Sequence, residues 1–160
     1  MARKTRTDDD LRSASGHLHY EVWMFLTLAR ALATGVFGEG PLNNATLESF
    51  TVHARVLLEF FFGDKPRADD VVADDYLGGQ GNWTELRGEM PPILADLRDR
   101  VGTEVAHSTF ARLAVTPEEK GWRFVEIAQA FEGVVQRFLR AVPGDRLAAV
   151  WAPSRNHDDA

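Results

Sequence analysis

From Asp8 to Thr34 the apolar residues recur at intervals of three, four and seven: Leu11, Leu18, Val22, Phe25, Leu26, Ala29, Leu32 and Ala33. That spacing is the signature of one amphipathic α-helix. At ~1.5 Å per residue it is roughly 40 Å long. Such a helix buries its stripe only against other helices of comparable reach. Asp8, Asp9 and Asp10 suit its N-terminus through the helix dipole. Gly35, Gly38, Gly40 and Pro41 break it.

The rest of the chain supplies the partners. A second helix is expected from Asn43 or Asn44, either of which can cap it, to Gly63. Leu47, Phe50, Ala54, Leu57, Leu58 and Phe61 form its stripe, widened by Val56, Phe60 and Phe62, which places it centrally. The stretch from Asp64 to Trp83 is long, acidic and glycine-bearing. It is expected to pack over one side, with one short turn around Val71, Val72, Tyr76 and Leu77 and with Trp83 as a pin. Thr84 to Met90 forms a short helical lead-in. Pro91 and Pro92 open a third main helix running to about Phe110 or Leu113. Thr116-Pro117-Glu118-Glu119 reads as a capping box for a fourth, with Phe124, Val125, Ala128, Phe131, Val135, Phe138, Leu139 and Val142 in register. Pro143-Gly144 ends it, and a short turn follows to Trp151.

Four main amphipathic helices without a strand pattern or internal repeat predict an all-α, single-domain bundle of four to five helices over residues 8–151. Residues 1–7 are expected to be a flexible N-terminus and 152–160 a flexible tail. Burial of these stripes and of three of the four tryptophans suffices for a core without any cofactor. The aromatic set Trp23, Phe25, Phe60, Phe61, Phe62, Trp83, Trp122, Phe124, Phe131 and Phe138 reads as core, with any surplus forming a dimer face.

The chain has no cysteine, which excludes disulfides and thiolate metal sites and fits a reducing, cytoplasmic setting. The start, MARKTRTDDD, has no apolar run behind it. The most apolar stretch, Val22 to Ala33, carries Arg30 and is too short to span a bilayer, so no membrane role is expected. A net charge of −6 weighs against broad electrostatic binding to nucleic acid but leaves room for a local basic cleft.

Chemistry concentrates in Pro91 to Arg112. On a helical wheel Ile93, Leu94, Leu97, Val101, Val105 and Ser108 make a core-facing stripe, and Asp96, Arg100, Glu104 and His107 form a ribbon along its border. Arg100 and His107 lie on nearly one line, ~10.5 Å apart, with Glu104 within reach of both. A histidine can move the proton of a ribose hydroxyl or of a leaving oxygen. A neighbouring arginine can stabilise charge on phosphoryl oxygens. The same residues also serve as a helix-edge ladder, Asp96–Arg100–Glu104, with His107 hydrogen-bonded at an interface.

Arg100 and His107, with six residues between them, fit the arginine-to-histidine spacing of the HEPN (higher eukaryotes and prokaryotes nucleotide-binding) domains. RVGTEVAHSTFAR resembles the histidine-bearing stretch of HEPN-like and abortive-infection proteins. LESFTVHARVLLEFFF and the following RADDVVADDYL resemble a bacterial HEPN-like family, over roughly Tyr20 to Phe138. The resemblance implies a HEPN-like all-α bundle that interacts with RNA or a nucleotide, in a defence or toxin–antitoxin setting. It implies a homodimer whose protomers share a composite cleft, and an antitoxin-like protein partner. If active, such a protein is a metal-independent endoribonuclease, with Arg100 steadying the scissile phosphate, His107 as acid/base and Glu104 between them. Val101 stands where the family carries a polar residue, often asparagine, and Gly102 weakens the helix by ~1 kcal/mol relative to alanine. The rival function is a non-catalytic protein-interaction bundle.

Other clusters invite weaker readings. Glu104 and His107 form one Glu-x-x-His pair, which with His53 and Glu59 makes a metal-dependent bundle enzyme a further alternative. His17 and His19 fall on different helical faces. His53 is expected as a satisfied interior or border histidine, and Arg55 as a partner of an acid in the Asp69–Asp75 loop. Asp69, Asp70, Asp74 and Asp75 lack the spacing of a calcium loop and are expected to cap backbone and face solvent.

Overall fold

The computed structural model describes residues 5–79, 81–102 and 121–152. These form a single all-α bundle, with no strand among the described residues. Its α-helices are α1 (Asp8–Thr34), α2 (Pro41–Phe62), α3 (Trp83–Arg87), α4 (Pro92–Arg100) and α5 (Phe124–Ala141). Short 3₁₀ turns occupy Ala73–Leu77, Gly144–Arg146 and Ala149–Trp151.

The start of α1 is fixed by a reciprocal cap. Thr7 Oγ1 accepts from Asp10 N at 3.1 Å, and Asp10 Oδ2 accepts from Thr7 N at 3.0 Å. Gly35 closes the helix in the left-handed region (φ 62°), donating its N–H to Leu32 O. α2 begins two to three residues before the expected asparagines. Pro41 takes its first turn and neither Asn43 nor Asn44 caps it. Proline's fixed φ suits that position, and its missing N–H needs no partner there.

The acidic connection is organised by its carboxylates. Asp70 Oδ2 accepts from Arg67 N at 2.6 Å, Asp75 Oδ2 from Val72 N at 3.0 Å, and Asp74 Oδ1 from Trp83 N at 2.9 Å. These bonds bear out the capping reading and wrap the loop against the bundle. Trp83 is the expected pin. Its indole Nε1 donates to Phe61 O at 2.8 Å, satisfying one of the carbonyls left open at the end of α2.

α1 and α2 run antiparallel, and α5 packs along them, with Phe124 against Phe50 and Phe138 against Phe60 and Phe61. Phe25 stacks on Phe50 (4.9 Å) and meets Phe131 edge-on (4.8 Å). At the other end Phe138 of α5 is ringed by Phe60, Phe61, Tyr76 and Trp83, all at 5.2–5.7 Å and near-perpendicular. The turn after α5 belongs to the body. Ala148 N donates to Ser15 Oγ (2.7 Å), Trp151 Nε1 to Ser15 O (2.9 Å), and Arg146 reaches Asp8 and Tyr76 O, both at 2.8 Å.

Two expectations are corrected. The last long helix starts at Phe124, since residues 121–123 are not helical and Arg123 takes φ −87°, ψ 64°. The capping box at Thr116–Glu119 lies outside the described residues, as do the expected continuation of the third helix beyond Gly102 and the tail from Pro153. Of the tryptophans, Trp83 and Trp151 are buried and Trp122 is half-buried. Trp23 is 55% exposed, because it projects from the face of α1 opposite Val22 and Phe25. Among the described residues no helix is long and apolar enough to cross a membrane.

Candidate functional site

The border of α4 places Arg100 at the end of a short helix whose core side carries Leu94, Leu97 and Val101. Its guanidinium lies over the Trp122 ring, 3.9 Å from the centroid, and Nη1 donates to Gly121 O at 3.0 Å. Trp122 in turn stacks on Phe124 and meets Phe50 edge-on. Arg100 is thus half-buried and held by the segment that leads into α5. Val101, next to it, is only 5% exposed and packs in the core, so that position offers no polar group to a substrate. Asp96, expected one turn below Arg100 in a ladder, instead faces Arg123 at 3.9 Å. Glu104 and His107 lie outside the described residues.

A second constellation lies on the seam between α1 and α2. His53, 9% exposed, donates from Nδ1 to Glu21 Oε2 at 2.6 Å, joining the two helices. Their antiparallel register brings these residues together from 32 positions apart. The expected satisfied border histidine is present, with a partner that no spacing rule could supply. Tyr20 meets the His53 ring edge-on (5.9 Å) and Trp23 packs on Tyr20 (6.2 Å). Both rings stand largely in solvent, at 49% and 55% exposed.

Alongside runs an open groove of about 770 Å³. Leu18, Val56, Phe60 and Tyr76 contribute to its floor and walls, and Arg55, Lys65 and Arg67 to its charge. Among the described residues none of these three cations makes an ion pair, so the expected pairing of Arg55 with the acidic loop does not form. The loop's carboxylates are turned to backbone N–H groups instead.

Among the described residues no three histidine, aspartate or glutamate side chains converge as a metal site. His53 has Glu21 as its neighbour, while Glu59 lines the groove together with His17.

Tyr76, beneath the groove, is fully buried and donates its hydroxyl to Leu11 O at 3.0 Å. Burial first, then the charge of Asp75, pushes its pKa well above the usual tyrosine value, which makes it a structural donor and not a proton carrier. Comparison with known proteins yields no match to a family model, a curated protein or a solved structure.

Proposed function

We propose that the protein is a HEPN-like bundle that engages RNA or a nucleotide at the α4 border, with Arg100 as the residue that meets phosphate. The observation that supports this is the seating of Arg100 on Trp122. A planar guanidinium stacked on an aromatic face has already lost rotamer freedom, so little more is lost when it meets a phosphate oxygen. In the catalytic form of this reading the protein is a metal-independent endoribonuclease. Arg100 then stabilises charge growing on the phosphoryl oxygens, and His107 takes the ribose 2′-hydroxyl proton and returns one to the leaving oxygen. Glu104 lies within a helical turn of both in sequence and orients them. A second copy completes the cleft, and an antitoxin-like protein covers it.

A second reading is favoured by the burial of Val101 and by the contacts of Arg100 with Trp122 and with Gly121 O: the α4 border closes a helix–helix contact in a non-catalytic interaction bundle. One experiment separates the two. The purified protein is incubated in EDTA with mixed-sequence RNA beside Arg100→Ala and His107→Ala variants. Cleavage by the wild type that disappears in both variants, with all three equally folded, supports the nuclease. Neither cleavage nor RNA binding by the wild type leaves the interaction bundle.

A further inference from the structure

The seam between α1 and α2 carries two features side by side. Tyr20 and Trp23 form an exposed aromatic step whose inner ring rests on His53, itself fixed by Glu21. Beside it, Arg55, Lys65 and Arg67 line one groove without an ion pair among the described residues, in a chain of net charge −6. These exposed cations can attract an anionic partner, against three carboxylates, Glu21, Glu59 and Asp70, in the same groove.

Aromatic faces for bases and flexible cations for phosphates are together what single-stranded nucleic acid recognition uses. We propose that this seam is a track for single-stranded RNA, with Tyr20 and Trp23 stacking bases and Arg55, Lys65 and Arg67 holding the backbone. The proposal rests on the RNA reading above and adds to it a binding surface separate from Arg100.

The dimensions fit. α2 from Val52 to Phe62 extends about 15 Å at ~1.5 Å per residue, room for about four phosphates at the ~3.4 Å per-strand spacing of stacked nucleotides. Glu21, Glu59 and Asp70 are carboxylates of the same groove and oppose a phosphate, Glu21 bonded to His53 and Asp70 to the Arg67 backbone N–H, which favours weak, salt-sensitive binding over tight capture. Stacking tolerates every base, so the track discriminates little by sequence.

The test is fluorescence anisotropy with a labelled, mixed-sequence 2′-O-methyl RNA, which has no free 2′-hydroxyl to attack its own phosphate. The proteins are the wild type, Tyr20→Ala with Trp23→Ala, Arg55→Gln with Lys65→Gln and Arg67→Gln, and Arg100→Ala. All are checked for unchanged circular dichroism. The track requires that the wild type binds and that each lost ring weakens affinity by roughly 5- to 150-fold. The triple-glutamine variant should lower the slope of log affinity against log salt by about 2, from three phosphates at ~0.7 each. Wild-type binding that both groove variants retain and Arg100→Ala loses overturns the track while sparing the RNA reading. No binding by the wild type overturns both. A wild-type dimer that the Tyr20/Trp23 variant turns into a monomer, with RNA affinity unchanged, also overturns the track and assigns the face to a second copy.

Discussion

Replacing Tyr76 by phenylalanine gives a test in which one hydroxyl is read twice. The side chain is fully buried, and its hydroxyl ties the 3₁₀ turn at Ala73–Leu77 to α1 through Leu11 O. Phenylalanine keeps the ring contacts with Phe60 and Phe138 and loses only this bond. Near neutral pH the variant should be less stable by about 1 kcal/mol, the usual net value of such a bond. The second reading comes at alkaline pH. Burial and the neighbouring Asp75 raise the folded pKa of Tyr76 well above the usual value of about 10. A raised folded pKa means that the native state keeps a proton the unfolded chain gives up. The stabilisation is therefore complete below the unfolded pKa and declines as pH rises above it. The wild type should lose ~1.4 kcal/mol per pH unit beyond pH ~10 relative to the phenylalanine variant, which has no such proton. The two stabilities should meet about one unit above the unfolded value. Urea titrations of both proteins at intervals from neutral to about pH 11 measure the difference directly and cancel the titration of lysines and of Tyr20. A difference that stays flat over that range would show that the hydroxyl ionises as it does in the unfolded chain, and would refute the burial argument.

Four further substitutions probe how the loop and the C-terminal turn are held. Trp83→Phe keeps an aromatic ring against Phe61 and Phe138 but leaves Phe61 O without its donor; a loss of about 1–3 kcal/mol is expected by chemical denaturation. Gly78→Ala forces a side chain into the left-handed region at φ 58° and into the Arg146 guanidinium, whereas Gly79→Ala, at φ 78° with open space around it, meets the backbone strain alone. The first should cost more than the second, and the second about 1–2 kcal/mol, so equal losses would dismiss the Arg146 contact. Ser15→Ala leaves the Ala148 N–H without its acceptor and should destabilise by about 1–3 kcal/mol, with hydrogen exchange accelerated at residues 148–151 first.

The helices themselves were legible because local periodicity carries them. The stripe through Leu18, Val22, Phe25, Ala29 and Leu32 is the buried side of α1, and the one through Phe50, Ala54, Leu57 and Phe61 is that of α2. Trp83 as a pin and the aspartates as caps were also readable, since both follow from the ordinary chemistry of loops beside helix ends. The start of the last long helix is not legible locally: the capping box and the helical stripe read as one element, while Arg123 stands outside helical geometry just before Phe124. Residue type alone places Trp23 in the core, whereas its phase on α1 opposes that of Phe25 and leaves it exposed.

At the candidate sites the balance shifts. Arg100 stood out by its position on a stripe border, but its stacking on Trp122 depends on how the segment before α5 returns to α4. The pairing of Glu21 with His53, the exposure of Tyr20 beside it and the gathering of Arg55, Lys65 and Arg67 along one groove have no local signature. Helix formation and facing are short-range properties, set by backbone hydrogen bonds and by which side chains leave water, and the sequence by itself determined them. Which polar groups meet across two antiparallel helices is a matter of register between distant segments, and only the tertiary packing decided it.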